Sequence, residues 1–145
     1  MDRPEERIIC RRCWTRVLPP PPGHCRRCGR FYEFPGISLC LDCLHDPPLV
    51  TIHRAALPYQ GVLREIILLL KFKECSCLAR PLVDLAFNYF RDDLVLWEGV
   101  DVLIPVPLHS HREKERGYNQ ARLLAKALAK KVNLPWEGKV LKRII

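Results

Sequence analysis

Three Cys-x-x-Cys pairs at equal intervals constrain this chain more than any other feature. They are Cys10 with Cys13, Cys25 with Cys28 and Cys40 with Cys43, and eleven residues separate each pair from the next. Zinc favours four thiolates in a tetrahedron, and two such turns deliver them from two short hairpins. The surrounding residues 1–48 are rich in Cys, Arg and Pro and lack helical periodicity. A segment that small has too little core to fold without a staple. Residues 1–48 therefore read as a zinc-ribbon domain of loops and short ribbons holding structural Zn2+. A closed four-cysteine site has no open coordination position, so no catalysis by this metal is expected.

Six cysteines do not divide into fours, and the equal spacing leaves open which neighbour the middle pair joins. Gly29 favours the later one, because a knuckle often needs a positive φ after its second cysteine and glycine adopts it cheaply. The expected ligands are Cys25, Cys28, Cys40 and Cys43. For Cys10 and Cys13 three readings stay open: free thiols, a second metal site completed by His24, His45 or another chain, or a site shared with Cys75 and Cys77. The Cys75-Ser76-Cys77 spacing also suits inert buried thiols.

The remainder has the composition of a folded domain. Of 145 residues, 48% are apolar. The longest purely aliphatic run, Ile66 to Leu70, is far short of the roughly 20 residues that cross a bilayer. No membrane span is expected. Met1 to Arg7 are mostly charged and lead into no apolar segment, so a secretory signal is not expected either. A cytoplasmic location follows as the expectation, and reducing conditions there favour metal-bound over disulfide-bonded cysteines.

From residue 49 the pattern changes. Val62, Leu63, Ile66, Ile67 and Leu70 recur at helical spacing and predict a helix over about 60–73. A second helix is predicted from Pro81 to about 91, burying Leu82, Leu85, Ala86, Tyr89 and Phe90. Val100 to Leu108 is apolar, β-branched and bounded by Pro105 and Pro107, the composition of a strand buried on both faces. After a polar loop, Asn119 is placed to cap a helix with the stripe Leu123, Leu124, Ala127, Leu128 and Val132. Val140 to Ile145 then reads as a further strand, giving a βαβ unit with an open sheet edge that invites self-association.

The charge is unevenly placed: residues 109–145 carry ten basic and three acidic groups, within a chain of net +8. Such an end suits phosphate-bearing partners. The loop from Leu108 to Gln120 lies between a strand's carboxyl end and a helix's amino end, where α/β sheets place anions. Arg112 and Arg116 are candidates to fork onto phosphate oxygens, Gly117 to let the backbone approach, and Asn119 and Gln120 to donate. His109 and His111 read as surface residues, and His53 belongs to no constellation.

Several motifs occur together. They are Cys-x-x-Cys-Gly, Leu39-Cys40-Leu41-Asp42-Cys43-Leu44 with Pro47-Pro48, Ala56-Leu57-Pro58-Tyr59-Gln60-Gly61 with Leu70-Lys71-Phe72, Ile104-Pro105-Val106-Pro107-Leu108, and Arg116-Gly117-Tyr118-Asn119-Gln120. In this order they resemble the ComF family of competence-associated, phosphoribosyltransferase-like proteins. The resemblance covers nearly the whole chain from about residue 10. It implies an α/β architecture, with a zinc ribbon in residues 1–48 and a partial, Rossmann-like βαβ core of the phosphoribosyltransferase type in residues 49–145. It further implies a link to the uptake of single-stranded DNA and to other competence or DNA-processing proteins. Arg112, Arg116, Asn119 and Gln120 then fall where transferase relatives hold pyrophosphate.

Two departures accompany the resemblance. The family carries a further Cys-x-x-Cys ahead of the pair matching Cys10 and Cys13, so the first of its two zinc sites is half represented. Its diphosphate-sugar loop, an acidic pair followed by Thr-Thr-Gly, would lie beyond Ile145. The expectation is a DNA-handling protein with no catalytic residues assigned, and PRPP with Mg2+ only if that loop exists. The alternatives are the amino-terminal portion of a phosphoribosyltransferase acting on a base or nucleotide, and a zinc-stapled adaptor with no specific ligand.

Overall fold

The computed structural model describes residues 8–36 and 38–143. A small four-cysteine ribbon sits beside a helical body. The ribbon begins after a one-turn helix, α1 (Arg11–Trp14), with the hairpin β1 (Gly23–His24) and β2 (Phe31–Tyr32), antiparallel with Gly23 opposite Tyr32. It ends in a short helix, α2 (Leu41–His45). Its interior is made of sulfur: Cys25, Cys40 and Cys43 are buried, with Cys28 and Tyr32 packed against them and no buried aliphatic residue in the cluster.

The body is built from α3 (Gly61–Phe72), α4 (Ala79–Phe90), α5 (Leu94–Trp97), α6 (Ser110–Arg116) and α7 (Gln120–Val132), with a 3₁₀ turn at Ser76–Leu78 leading into α4. Leu63, Ile66 and Leu70 of α3 meet Leu78, Ala79 and Leu82, and Ile9 is buried with them. Trp14 and Val17 also pack on this cluster. The first described residues therefore belong to the helical core in packing terms, although they precede the ribbon in sequence. Pro81, in the first turn of α4, is among the most deeply buried side chains. It loses nothing there, because that N–H would have no intrahelical partner.

The predicted helices 60–73 and from Asn119 onward are found as α3 and α7, and the second helix begins two residues earlier than Pro81. Its inner face is rotated from the expected one: Val83 is buried and Tyr89 is 43% exposed. α5 and α6 have no counterpart in the sequence reading. The segment Ser110–Arg116, expected as a loop, is helical without any apolar stripe. His109 caps it, its Nδ1 accepting from the His111 N–H at 3.3 Å, His111 and Glu115 pair one turn apart, and Gly117 ends it at φ 76°.

The expected sheet is the main difference. Among the described residues, Val100 to Leu108 pairs at one place only, a parallel bridge between Leu103 and Trp136. The Leu103 N–H donates to the Pro135 carbonyl and the Glu137 N–H to that of Leu103, both at 2.9 Å. The second strand thus lies before the predicted 140–145 segment, whose residues 140–143 form no strand; Ile144 and Ile145 lie outside the described residues. Asn133 accounts for the shift: it ends α7 in the left-handed conformation (φ 54°), which returns the chain to Leu103 within three residues. The order extended segment, helices, extended segment is present, but the multi-stranded core it suggested is not observed. No helix among the described residues is long and apolar enough to cross a membrane.

An apolar hollow of about 380 Å3 runs between α3, α4 and α7, lined by Leu57, Leu63, Ile67, Leu82, Leu124 and Leu128. Leu70 at its wall is 1% exposed. Leu70→Ala should lower stability by about 2–5 kcal/mol through lost burial and the cavity left behind, read as a lower denaturation midpoint at unchanged m-value.

Candidate metal centre and basic helix junction

Four cysteines converge at one point of the ribbon. The Sγ atoms of Cys25, Cys28, Cys40 and Cys43 all lie within 4.8 Å of one another. Cys28 Sγ and Cys40 Sγ are 3.7 Å apart. A zinc–sulfur bond of about 2.3 Å in tetrahedral geometry requires sulfurs about 3.8 Å apart, so the spacing fits that metal. Each knuckle is closed by the backbone. Cys25 N–H donates to the Arg30 carbonyl at 2.9 Å and Gly29 N–H to that of Cys25 at 3.0 Å, while Cys40 caps α2 with its sulfur accepting from Cys43 N–H at 3.4 Å. A further N–H, from Cys40, points at Cys25 Sγ at 3.4 Å.

These donors decide which thiols ionise. Burial raises the pKa of Cys25, but the N–H groups of Cys28, Cys40 and Arg27 outweigh it and bring the thiol down to about 6. The Cys43 N–H likewise holds Cys40 below the usual thiol value. Burial, with the neighbouring sulfurs, pushes Cys43 up to about 12. Metal-free, the cluster thus keeps protons that a dication would displace.

Gly29 is required twice at this centre. Its φ is 71°, and a Cβ there would stand 2.8 Å from the His53 carbonyl oxygen. The strand of chain it admits is the one that ties ribbon to body. His53 N–H donates to the Arg27 carbonyl at 2.7 Å, and its Nδ1–H to the Cys28 carbonyl at 2.9 Å. Arg54 Nη1 donates to the Arg26 carbonyl at 2.7 Å, while its Nε pairs with Asp93 at 2.7 Å, where the arginine side chain is only 11% exposed. Asp93 in turn caps α5 by accepting from Leu96 N–H. The sequence assigned His53 to no constellation and gave Arg54 no role. Their partners are backbone carbonyls and a carboxylate thirty-nine residues away, which no spacing rule reveals.

Cys10 and Cys13 stand apart from the cluster. Among the described residues the four-cysteine group is the one set of potential ligands brought together, and all eight cysteines are free thiols. Cys10 is exposed at the start of α1, and its interaction with the Cys13 thiol lowers its pKa while raising that of Cys13. Cys75 is half-buried and donates to the Lys73 carbonyl; Cys77 is exposed.

The Arg116-Gly117-Tyr118-Asn119-Gln120 stretch is a junction in which Arg116, Tyr118, Asn119 and Gln120 each have a partner. Arg116 lies over the Phe72 ring at 5.1 Å and donates to Gln120 Oε1 at 2.5 Å. Tyr118 donates its hydroxyl to the Leu70 carbonyl at 2.5 Å, satisfying one of the orphan carbonyls in the last turn of α3. Burial raises the pKa of that phenol. Asn119, 4% exposed, caps α7 by accepting from the Ala121 and Arg122 N–H groups at 2.9 and 3.3 Å. Glu113 of α6 pairs with Arg122 of α7 at 2.9 Å. Arg112 is exposed one turn before Arg116, and both line a hollow of about 150 Å3 with Lys71, Phe72, Glu74 and Glu115. Three cations and two carboxylates leave that hollow only weakly positive.

The chain is 30% identical over 139 residues to Competence protein ComFC of Bacillus subtilis (strain 168), an alignment covering 87% of this chain and 53% of that protein. It is 30% identical over 145 residues to Competence protein F of Haemophilus influenzae, covering 94% and 59%. A third relative is DNA utilization protein YhgH of Salmonella typhimurium, 26% identical over 140 residues and covered to 60%. The chain thus spans little more than half the length of these relatives. No protein-family model matches it, and no solved structure does.

The capping role of Asn119 can be separated from a ligand role. Asn119→Ala should cost about 1 kcal/mol in thermal or denaturant unfolding, whereas Asn119→Asp, which still accepts from both N–H groups, should restore most of it.

Proposed function

Because the chain belongs to the ComF family, we propose that it serves the uptake or use of DNA, as a zinc-stapled ribbon docked on an anion-binding helical body. The observation that carries the metal half is the convergence of Cys25, Cys28, Cys40 and Cys43 at tetrahedral spacing. The ion is structural: it closes a segment whose interior holds no aliphatic core, and four thiolates leave it no place for substrate.

The DNA half rests on the relatives' names and on the cationic residues 109–145. Arg112 and Arg116 are proposed as phosphate contacts at the α6–α7 junction. Arg112 is exposed, and Arg116 is held in place by Phe72 and Gln120. A phosphoribosyltransferase portion is the second reading, favoured by the order of the Leu103 segment, α7 and the Trp136 segment, with the basic junction between them. PRPP and Mg2+ would belong to that reading.

Metal analysis of the purified chain should find one tightly held zinc, released by chelators; a value near two would assign Cys10 and Cys13 to a site as well. Chelation should loosen residues 23–53 while α3, α4 and α7 keep their helical circular dichroism. Single-stranded oligonucleotide should bind with an affinity that falls steeply with salt, and Arg112→Ala with Arg116→Ala should weaken it and reduce the slope of log K against log salt by about 1.4, at ~0.7 per phosphate contact. Binding insensitive to salt and to both substitutions would reject the anion site.

A further inference from the structure

A second cationic surface lies elsewhere on the body and shares no lining residue with the hollow at Arg112 and Arg116. It is a groove of about 640 Å3 between α4 and α7, with Arg80, Lys126 and Lys130 around a floor of Val83, Leu123 and Ala127. All three cationic residues are exposed, and among the described residues no carboxylate pairs with any of them. The one acid in the groove, Asp84, is engaged by Lys131, so its charge is already offset. Three uncompensated cations remain.

The contrast with α6 is informative. There Glu113 and Glu115 alternate with the bases, which is how a solvated helix face limits its own repulsion. α7 carries Arg122, Lys126, Lys130 and Lys131 and no acidic residue. Lys126 and Lys130 are one turn apart on one face, a like-charge pair that destabilises the helix by itself and is relieved by a bound anion.

We propose that this α4–α7 groove is the track for the phosphate backbone of single-stranded nucleic acid. The proposal rests on the DNA reading given above and moves the main contact from the α6–α7 junction to this face. The volume is that of a ligand cleft, and its apolar floor suits the face of an unstacked base, which a duplex keeps hidden. Asp84 adds a second chemical element. The residue lines the same groove, and its Oδ2 is buried beneath that wall without a partner, so a carboxylate oxygen is left unsatisfied next to the proposed track. Phosphates on Arg80, Lys126 and Lys130, with a base laid over Val83 and Leu123, account for the groove's polar and apolar walls together.

The test is fluorescence anisotropy of the full chain with a labelled oligothymidylate of about 16 nucleotides, between about 50 and 200 mM salt. One variant combines Arg80→Gln, Lys126→Gln and Lys130→Gln; the other combines Arg112→Ala and Arg116→Ala. Glutamine forms helix about as well as lysine, the sites are exposed and a like-charge pair is removed, so a melting temperature at or slightly above that of the wild type verifies the fold of the groove variant. Its affinity should fall on the order of tenfold, and the salt slope should flatten by about 2 for three lost contacts at ~0.7 each. Wild-type binding by the groove variant overturns the proposal. If only the Arg112/Arg116 variant loses binding, this inference fails and the junction reading stands; if only the groove variant does, the reverse holds. Displacement by polyglutamate as readily as by unlabelled oligonucleotide would mark a surface for an acidic protein and also overturn it. Absence of any binding would remove both readings.

Discussion

The contact among four thiols, with Cys28 and Cys40 sulfurs 3.7 Å apart, is what gives residues 23–53 a shape at all. Their hairpin has two residues in each strand, and the cluster beneath it contains Cys25, Cys40 and Cys43 where a larger domain would have leucines. A hairpin of that length has no independent stability in water. The N–H groups aimed at Cys25 and Cys40 lower the pKa of both thiols, and burial raises that of Cys43. A dication held by the four cysteines would replace the thiol protons and couple metal binding to folding of the ribbon.

The ribbon matters to the rest of the molecule through His53 and Arg54. Both residues reach back to the carbonyls of the Cys25–Cys28 knuckle, and Arg54 alone also grips Asp93 at the start of α5. The pair with Asp93 is largely shielded from water, so losing one partner strands a charge; that costs more than an exposed pair is worth. Gly29 makes the approach possible, since any side chain there would collide with the His53 carbonyl. The four-cysteine centre therefore acts at a distance. It fixes a knuckle, the knuckle fixes residues 53 and 54, and these orient the helical body.

Within that body, positive charge is divided between two places of different character. At the α6–α7 junction two arginines are committed to neighbours, Arg116 to Phe72 and Gln120 and Arg122 to Glu113, and Arg112 is exposed. Glu74 and Glu115 dilute what remains. Along the α4–α7 groove Arg80, Lys126 and Lys130 are exposed and uncompensated. Motif and electrostatic field thus point to different faces, because a motif records which residues recur together and a field depends on which charges are left over after pairing.

The sequence by itself determined the ribbon, its four-cysteine grouping by way of Gly29, and the helices α3 and α7, because each depends on local spacing: two residues between thiols, 3.6 between apolar side chains, a cap before the first turn. It also carried the resemblance to the ComF family, and competence and DNA-utilization proteins are 26–30% identical to the chain. It did not yield α6, whose helix rests on caps and charge pairs and has no apolar stripe, nor the inner face of α4, which was set by Ile9 and α3 packing against Leu78, Ala79 and Leu82. Only the tertiary structure decided that Leu103 pairs with Trp136, that the capping residue Asn119 is buried, and that Arg54 joins Asp93. These contacts join residues far apart in the chain or turn on burial, and their energy comes from removing polar groups from water in one shared place. No local pattern encodes where that place is.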